Sequence, residues 1–139
     1  MTKVVSLRLR AEQWERLQRL ARRLGRTPSE ASVVLLEEAL RVAEFGFIQF
    51  RDSPVGRQAY VLGTSLAVWA VAFLARFFDG DAERLAGHLG WPPVKVKAAL
   101  AYATAYAEEI EAAVADNERG PEPLRRALPV LETVTVGEA

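Results

Sequence analysis

The residues best suited to act on a partner are crowded into the first ten positions. There Lys3, Val4, Ser6, Arg8 and Arg10 interleave with Val5, Leu7 and Leu9. From Val5 onward the pattern has a period of two, as a short strand requires. Val5, Leu7 and Leu9 then share one face, and Val4, Ser6, Arg8 and Arg10 share the other. The polar face has a recognisable use on DNA. An arginine can hold a guanine edge in bidentate fashion, a serine hydroxyl suits several bases, and a valine can meet a thymine methyl. Arg8, Ser6 and Val4 are the corresponding base-contact candidates. Lys3, Arg10 and Arg26 are placed to meet phosphate oxygens, which fix register and carry no sequence information.

Other chemistries find little to work with. The chain has no cysteine and one histidine, His88. That removes disulfide scaffolds, thiol nucleophiles and cysteine-based zinc or iron–sulfur sites. His88 has no carboxylate pair beside it in sequence and reads as a helix-end residue. Asp79, Asp81 and Glu83 have the spacing of a capped turn rather than of a metal site. Neither an enzyme, a cofactor nor a metal is expected. Net charge is zero, but its distribution is uneven. Lys3, Arg8, Arg10, Arg16, Arg19, Arg22, Arg23 and Arg26 face only Glu12 and Glu15 at the head. The other end carries Glu108, Glu109, Glu111, Asp116 and Glu118 among its acids. Opposite charge at the two ends is expected when each meets a different partner. The most apolar stretch, Leu66 to Ala75, is about half of the ~20 residues that a spanning helix needs. It reads as a buried helix, no N-terminal signal is visible, and a cytoplasmic location is expected.

The elements that must hold these residues follow from local signals. Trp14, Leu17, Leu20, Ala21 and Leu24 recur at helical spacing, which predicts a helix over 11–24 with Gly25 as its left-handed cap. Thr27-Pro28-Ser29-Glu30 combines an N-cap threonine, a first-turn proline and a glutamate three residues on. It opens a second helix that should run to about Phe45 and stop at Gly46. Phe47 to Gly63 suggests a small hairpin. Ser65 is expected to cap an apolar helix reaching about Phe78, with Val68, Trp69, Ala72 and Phe73 buried. A short helix over 82–89 follows, then a break at Gly90-Trp91-Pro92-Pro93, then one long helix from about Val94 to Asp116.

A seven-residue strand is not stable alone, and two short helices cover little of its apolar face. Pairing with the same strand of a second copy solves both problems. Val5, Leu7, Leu9, Trp14 and Leu17 then form a shared dimer core. The paired ribbon presents Val4, Ser6 and Arg8 outward, and a two-stranded ribbon fits the major groove. The start of the second helix offers backbone N–H groups and a positive dipole end to phosphate at Thr27 and Ser29. Taken together, Ser6-Leu7-Arg8-Leu9, Glu15-Arg16-Leu17, Leu20-Ala21, Gly25-Arg26-Thr27 and Ser29-Glu30-Ala31 resemble the ribbon-helix-helix family of bacterial repressors and antitoxins. The resemblance implies base reading by the outward strand positions and phosphate anchoring at Thr27, Pro28 and Ser29. Val4 departs from the pattern, being apolar where polar readers are frequent.

The chain divides in sequence into a ribbon-helix-helix module over 1–46, a helical module over 47–117 and a tail over 118–139. In the second module, Gly56-Arg57, Ala59-Tyr60-Val61, Gly63-Thr64, Val68-Trp69, His88-Leu89-Gly90-Trp91-Pro92 and Ala98-Ala99-Leu100 resemble a winged-helix-like domain. That domain is found in antitoxins paired with PIN-like ribonuclease toxins. Lys95 and Lys97 near the start of the long helix also suggest a second phosphate contact. Tyr102 and Tyr106, four apart, read as packing residues. The tail carries Leu124, Leu128, Leu131 and Val134, which are candidates either for a toxin surface or for packing on the protein's own dimer. The expected fold is therefore mainly α, with one dimeric strand at the head and a short hairpin in the second module. The expected function is that of a VapB-type antitoxin: a homodimer that binds operator DNA, neutralises a PIN-like ribonuclease and represses its own operon. The alternative is a ribbon-helix-helix repressor without a toxin, whose second domain oligomerises or senses a ligand.

Overall fold

A computed structural model of the chain describes residues 1–118. They are mainly helical, with one small two-stranded antiparallel sheet. No helix among them is long and apolar enough to cross a membrane. The residues fall into two compact units, Met1–Leu40 and Arg41 onward.

The first unit holds α1 (Ala11–Leu24) and most of α2 (Pro28–Glu44). Gln13 accepts the Arg10 N–H at 3.0 Å to start α1. Gly25 ends it at φ 67°, a left-handed conformation that glycine takes without a Cβ penalty. Its N–H returns to Arg22 O, and Arg26 N–H to Ala21 O, so the last carbonyls of α1 are satisfied. Residues 1–10 form no strand in the single chain, and the strand expected from sequence was one paired with a second copy. The reason is physical: a strand exists only against a hydrogen-bonded neighbour, and no other described segment supplies one. Ala21 and Ala31 are the buried residues of this unit, while Leu17, Leu20 and Leu35 line an open cleft.

The second unit has a closed core. β1 (Ile48–Ser53) and β2 (Gly56–Val61) make the expected hairpin, with Phe50 opposite Ala59 and Ser53 opposite Gly56. α3 (Val68–Ala75) is apolar all round and lies at the centre. Val68, Val71 and Leu74 are fully buried, and α5, α6 and β2 surround the helix. Ala72, expected in the core, is half-buried. Ser65 is not the cap of α3. The helix starts later, after Ala67, because the Leu66 carbonyl accepts the Val61 N–H and Ala67 bridges Tyr60, prolonging the hairpin. The helix also ends earlier, since Arg76–Phe78 is a single 3-10 turn.

α4 (Ala82–Leu89) is capped by Asp81, whose carboxylate accepts the N–H groups of Glu83 and Arg84. The expected long helix is two helices, α5 (Pro93–Ala105) and α6 (Ala107–Glu118). Tyr106 separates them at φ −118° and ψ 45°. Neither glycine nor proline marks the break. Packing accompanies it: the Tyr106 ring lies on the Arg41 guanidinium and against Phe45, while Ile110 and Val114 of α6 are buried in the core.

The last turn of α2 belongs to this unit through that same cluster. Arg41 donates to the Tyr102 hydroxyl at 2.7 Å and to Glu109 at 3.0 Å. The Tyr102 hydroxyl donates to Glu109 at 3.3 Å. Tyr102 is fully buried, with Phe45 edge-on at 5.4 Å. Burial works against the Arg41 cation, yet its hydrogen bonds to Tyr102 and Glu109 hold its pKa above the ordinary arginine value. Burial likewise pushes Tyr102 up to about 12, against the opposing pull of the Arg41 hydrogen bond.

A tyrosine pKa raised by folding means that the folded state holds the proton more tightly. The resulting stability is complete below the unfolded value of 10.0 and is lost as pH rises through about 12. Urea unfolding at a series of pH values should show this alkaline loss in the native chain and its absence in Tyr102→Phe. At neutral pH the variant should be less stable by about 0.5–1.5 kcal/mol, the net worth of a hydrogen bond. An unchanged alkaline profile in the variant would remove Tyr102 as the cause.

Candidate nucleic-acid interface

The first ten residues are exposed along their whole length. Both faces of the alternating segment are open. Val4 is 96% exposed on one side, and Val5 and Leu7 are 78% and 73% exposed on the other. Leu9 and Trp14 are also uncovered, and Leu17 is half-buried. The candidate base readers Val4, Ser6 and Arg8 are thus free to meet a partner, and so are the candidate core residues Val5, Leu7 and Leu9. Of the candidate core residues, only Leu17 is brought to a shared cleft, with Leu20 and Leu35.

A further apolar stripe was not singled out from sequence. Val33, Leu36 and Leu40 are all large and exposed on α2, at helical spacing that places them on one side. The unbroken run Val33-Val34-Leu35-Leu36 hides this arrangement. Leu35 turns toward the cleft of Leu17 and Leu20, whereas Val33 and Leu36 point elsewhere. A helix with two apolar faces was the available signal.

The phosphate candidates differ in their freedom. Lys3 is exposed. Arg10 pairs with Glu12 at 3.0 Å, but both side chains are mostly in water, where such a pair is worth little and yields readily. Arg26 sits 3.9 Å from Glu30 and is also exposed. At the start of α2, the Glu30 N–H donates to the Thr27 hydroxyl oxygen at 3.1 Å and the Thr27 N–H donates to the Glu30 carboxylate at 3.0 Å. Pro28 has no N–H. The reciprocal box therefore engages the amides of Thr27 and Glu30, so of the anchor candidates the Ser29 amide is the one that could serve a phosphate. The Thr27 backbone hydrogen bond also holds the Glu30 carboxyl below the ordinary glutamate range. A negative charge thus stands beside the proposed anchor, so the arginines must outweigh it.

In the second unit the candidate cations are engaged internally. Lys95 donates to the Leu62 carbonyl at 3.2 Å, and Lys97 lies 3.7 Å from Glu83. Val94, Ala101 and Thr104 on α5 are exposed and uncharged. His88 sits in the last turn of α4, with its ring 5.2 Å from that of Phe78. No group of three or more His, Asp or Glu side chains among the described residues is arranged to hold a metal. The tail candidates Leu124, Leu128, Leu131 and Val134 lie outside the described residues.

No family model, no curated protein and no solved structure matches this chain.

Proposed function

We propose that the protein is a homodimeric DNA-binding regulator of the ribbon-helix-helix kind, and that it serves as an antitoxin to a PIN-like ribonuclease while repressing its own operon. One observation carries the DNA-binding part. The first unit leaves the alternating segment 4–10 uncovered on both faces and exposes Val33, Leu36 and Leu40 beside an open cleft. Burying a leucine or valine side chain contributes about 1.5–3 kcal/mol. A second copy of the same unit would cover these residues in both chains at once. Its strand would also supply backbone hydrogen-bond partners to residues 4–9.

The paired strands would then hold two copies of Arg8 and Ser6 on one outward surface, the form of ribbon that enters a major groove. Arg16, Arg19 and Arg22 on α1 add exposed positive charge to the same unit. The nuclease partner rests on the resemblance of the second module and on the acidic start of α6, where Glu108 is exposed while Glu109 and Glu111 are paired with Arg41 and Arg76. A nuclease surface that holds RNA is basic and suits such a face. Co-purification with the product of an adjacent nuclease gene separates the antitoxin from a repressor acting alone.

Two variants test the division of roles. Arg8→Ala should cost about 1–3 kcal/mol on an operator duplex and relax preference at one base position. Arg26→Ala should weaken operator and random duplexes alike. Quantitative gel shifts with both duplexes check this, and equal losses for Arg8→Ala on each would count against the ribbon as reader. Leu7→Asp places a charge in the shared core, where it has no partner. Sedimentation of the full chain should then give monomer with DNA binding lost. A dimeric Leu7→Asp protein would contradict the proposed interface.

A further inference from the structure

The first unit carries more positive charge than base reading and one phosphate anchor require. From Arg16 to Ser29 the chain holds five arginines, Arg16, Arg19, Arg22, Arg23 and Arg26, and no acid. All five are exposed. At about 3.6 residues per turn, Arg19 and Arg22 fall on the side of α1 opposite Leu17 and the buried Ala21, and Arg16 and Arg23 border Arg19. Neither Arg19 nor Arg22 forms an ion pair with a described residue, although Glu15 stands four positions before Arg19. A helix face that only meets water usually mixes both signs, because opposite charges three or four apart support a helix and like charges so spaced oppose it. Here Arg16 and Arg19, Arg19 and Arg22, Arg19 and Arg23, and Arg22 and Arg26 are all so spaced. The negative end of the helix dipole accounts for Arg22 and Arg23 in the last turn of α1. It does not account for Arg19, a turn earlier, or for Arg26, beyond the cap.

We infer that the arginine face of α1 is a backbone-binding surface for duplex DNA, holding phosphates beyond the bases that the ribbon reads. The inference rests on the DNA-binding reading and adds a second, sequence-independent contact to it. The first ground is continuity. The Arg26 N–H donates to the Ala21 carbonyl at 2.9 Å, so the last turn of α1 is tied to the chain that enters the proposed anchor at Ser29. A DNA strand held at that anchor can run on along α1. The second ground is spacing. Arg19 and Arg22 are separated by about 4.5 Å along the helix axis, and successive phosphates of one strand advance by about 3.4 Å along the duplex. Two long side chains at that separation can each take a phosphate of their own. The third ground is charge. The Glu30 carboxylate stands beside the anchor, paired with the Thr27 amide, and the arginine face supplies the positive field that offsets it. Because Arg19 and Arg22 lie opposite the apolar side of α1, pairing of two copies through Leu7, Leu9 and Leu17 would leave the face open and present it twice.

The salt dependence of binding tests this directly. The full-length protein is titrated with a random-sequence duplex of about 30 base pairs at salt concentrations from about 50 to 200 mM. In a plot of log K against log salt, Arg19→Gln with Arg22→Gln should reduce the slope by about 0.9 for each arginine engaged, or about 3.6 when both protomers bind. Arg19→Lys with Arg22→Lys keeps the charge and should keep the slope. The control, Arg84→Gln with Lys97→Gln, removes the same charge from exposed positions of the second unit and should also leave the slope unchanged. A variant that was merely less folded would lose affinity at every salt concentration without a change of slope. A native slope in the Arg19→Gln/Arg22→Gln protein, or an equal reduction in the control, would overturn the inference and leave the ribbon reading standing. Native protein that binds no duplex at all would overturn the DNA-binding reading and the inference with it. Retention on immobilised polyglutamate that those two glutamines abolish, with the duplex slope unchanged, would assign the face to an acidic protein instead.

Discussion

An isolated strand has nowhere to place its backbone hydrogen bonds, and the head of this protein is built around that fact. Residues 4–10 alternate apolar and polar side chains, yet no described segment of the same chain lies beside them to complete a ladder. The helices that follow cannot compensate. They bury only two alanines in their own unit and leave Trp14, Val33, Leu36 and Leu40 in solvent. Pairing with a second copy would answer both deficits together, and the same pairing would set Arg8 and Ser6 side by side on a surface suited to base edges. Dimerisation and DNA reading are thus proposed as one event, with one face of the segment serving each.

The second unit depends on no partner for its core. Its centre is a helix without a polar face, enclosed by a hairpin and the helices around it. The polar cluster of Arg41, Tyr102 and Glu109 lies at the edge of this apolar interior, and each member is hydrogen-bonded to another. Arg41 also stacks on Tyr106, where α5 gives way to α6. The end of α2 is thereby tied into the second unit, and the boundary between the compact units falls inside a helix, between Leu40 and Arg41.

Features with a local chemical cause were legible in the sequence. Gly25 stops α1, the Thr27–Glu30 box starts α2, and Asp81 caps α4, each where the residue types require it. Features decided by distant contacts were not. Ser65 has the composition of a cap, but the Leu66 carbonyl is taken by Val61 and the helix waits for Ala67. Tyr106 carries no breaker signal, and its partner Arg41 lies far away in the chain. At the candidate interface, Val5, Leu7 and Leu9 were readable because alternation is a short-range pattern. Val33, Leu36 and Leu40 were obscured by apolar neighbours on the opposite side of the same helix. The bond between Glu30 and the Thr27 amide, which bears on the proposed phosphate anchor, follows from the very box that identified the helix start.

The central claim is that residues 5–9 pair with the same residues of a second copy. Mixing isotopically labelled and unlabelled protein, and recording only nuclear Overhauser contacts that cross between the two, observes that pairing directly. The account predicts cross-chain backbone contacts among Val5, Leu7 and Leu9 in an antiparallel register, with none from Val4, Ser6 or Arg8 side chains into the apolar core. Random-coil shifts over 4–10, with no contacts crossing between copies at concentrations where the protein is a dimer, would contradict it.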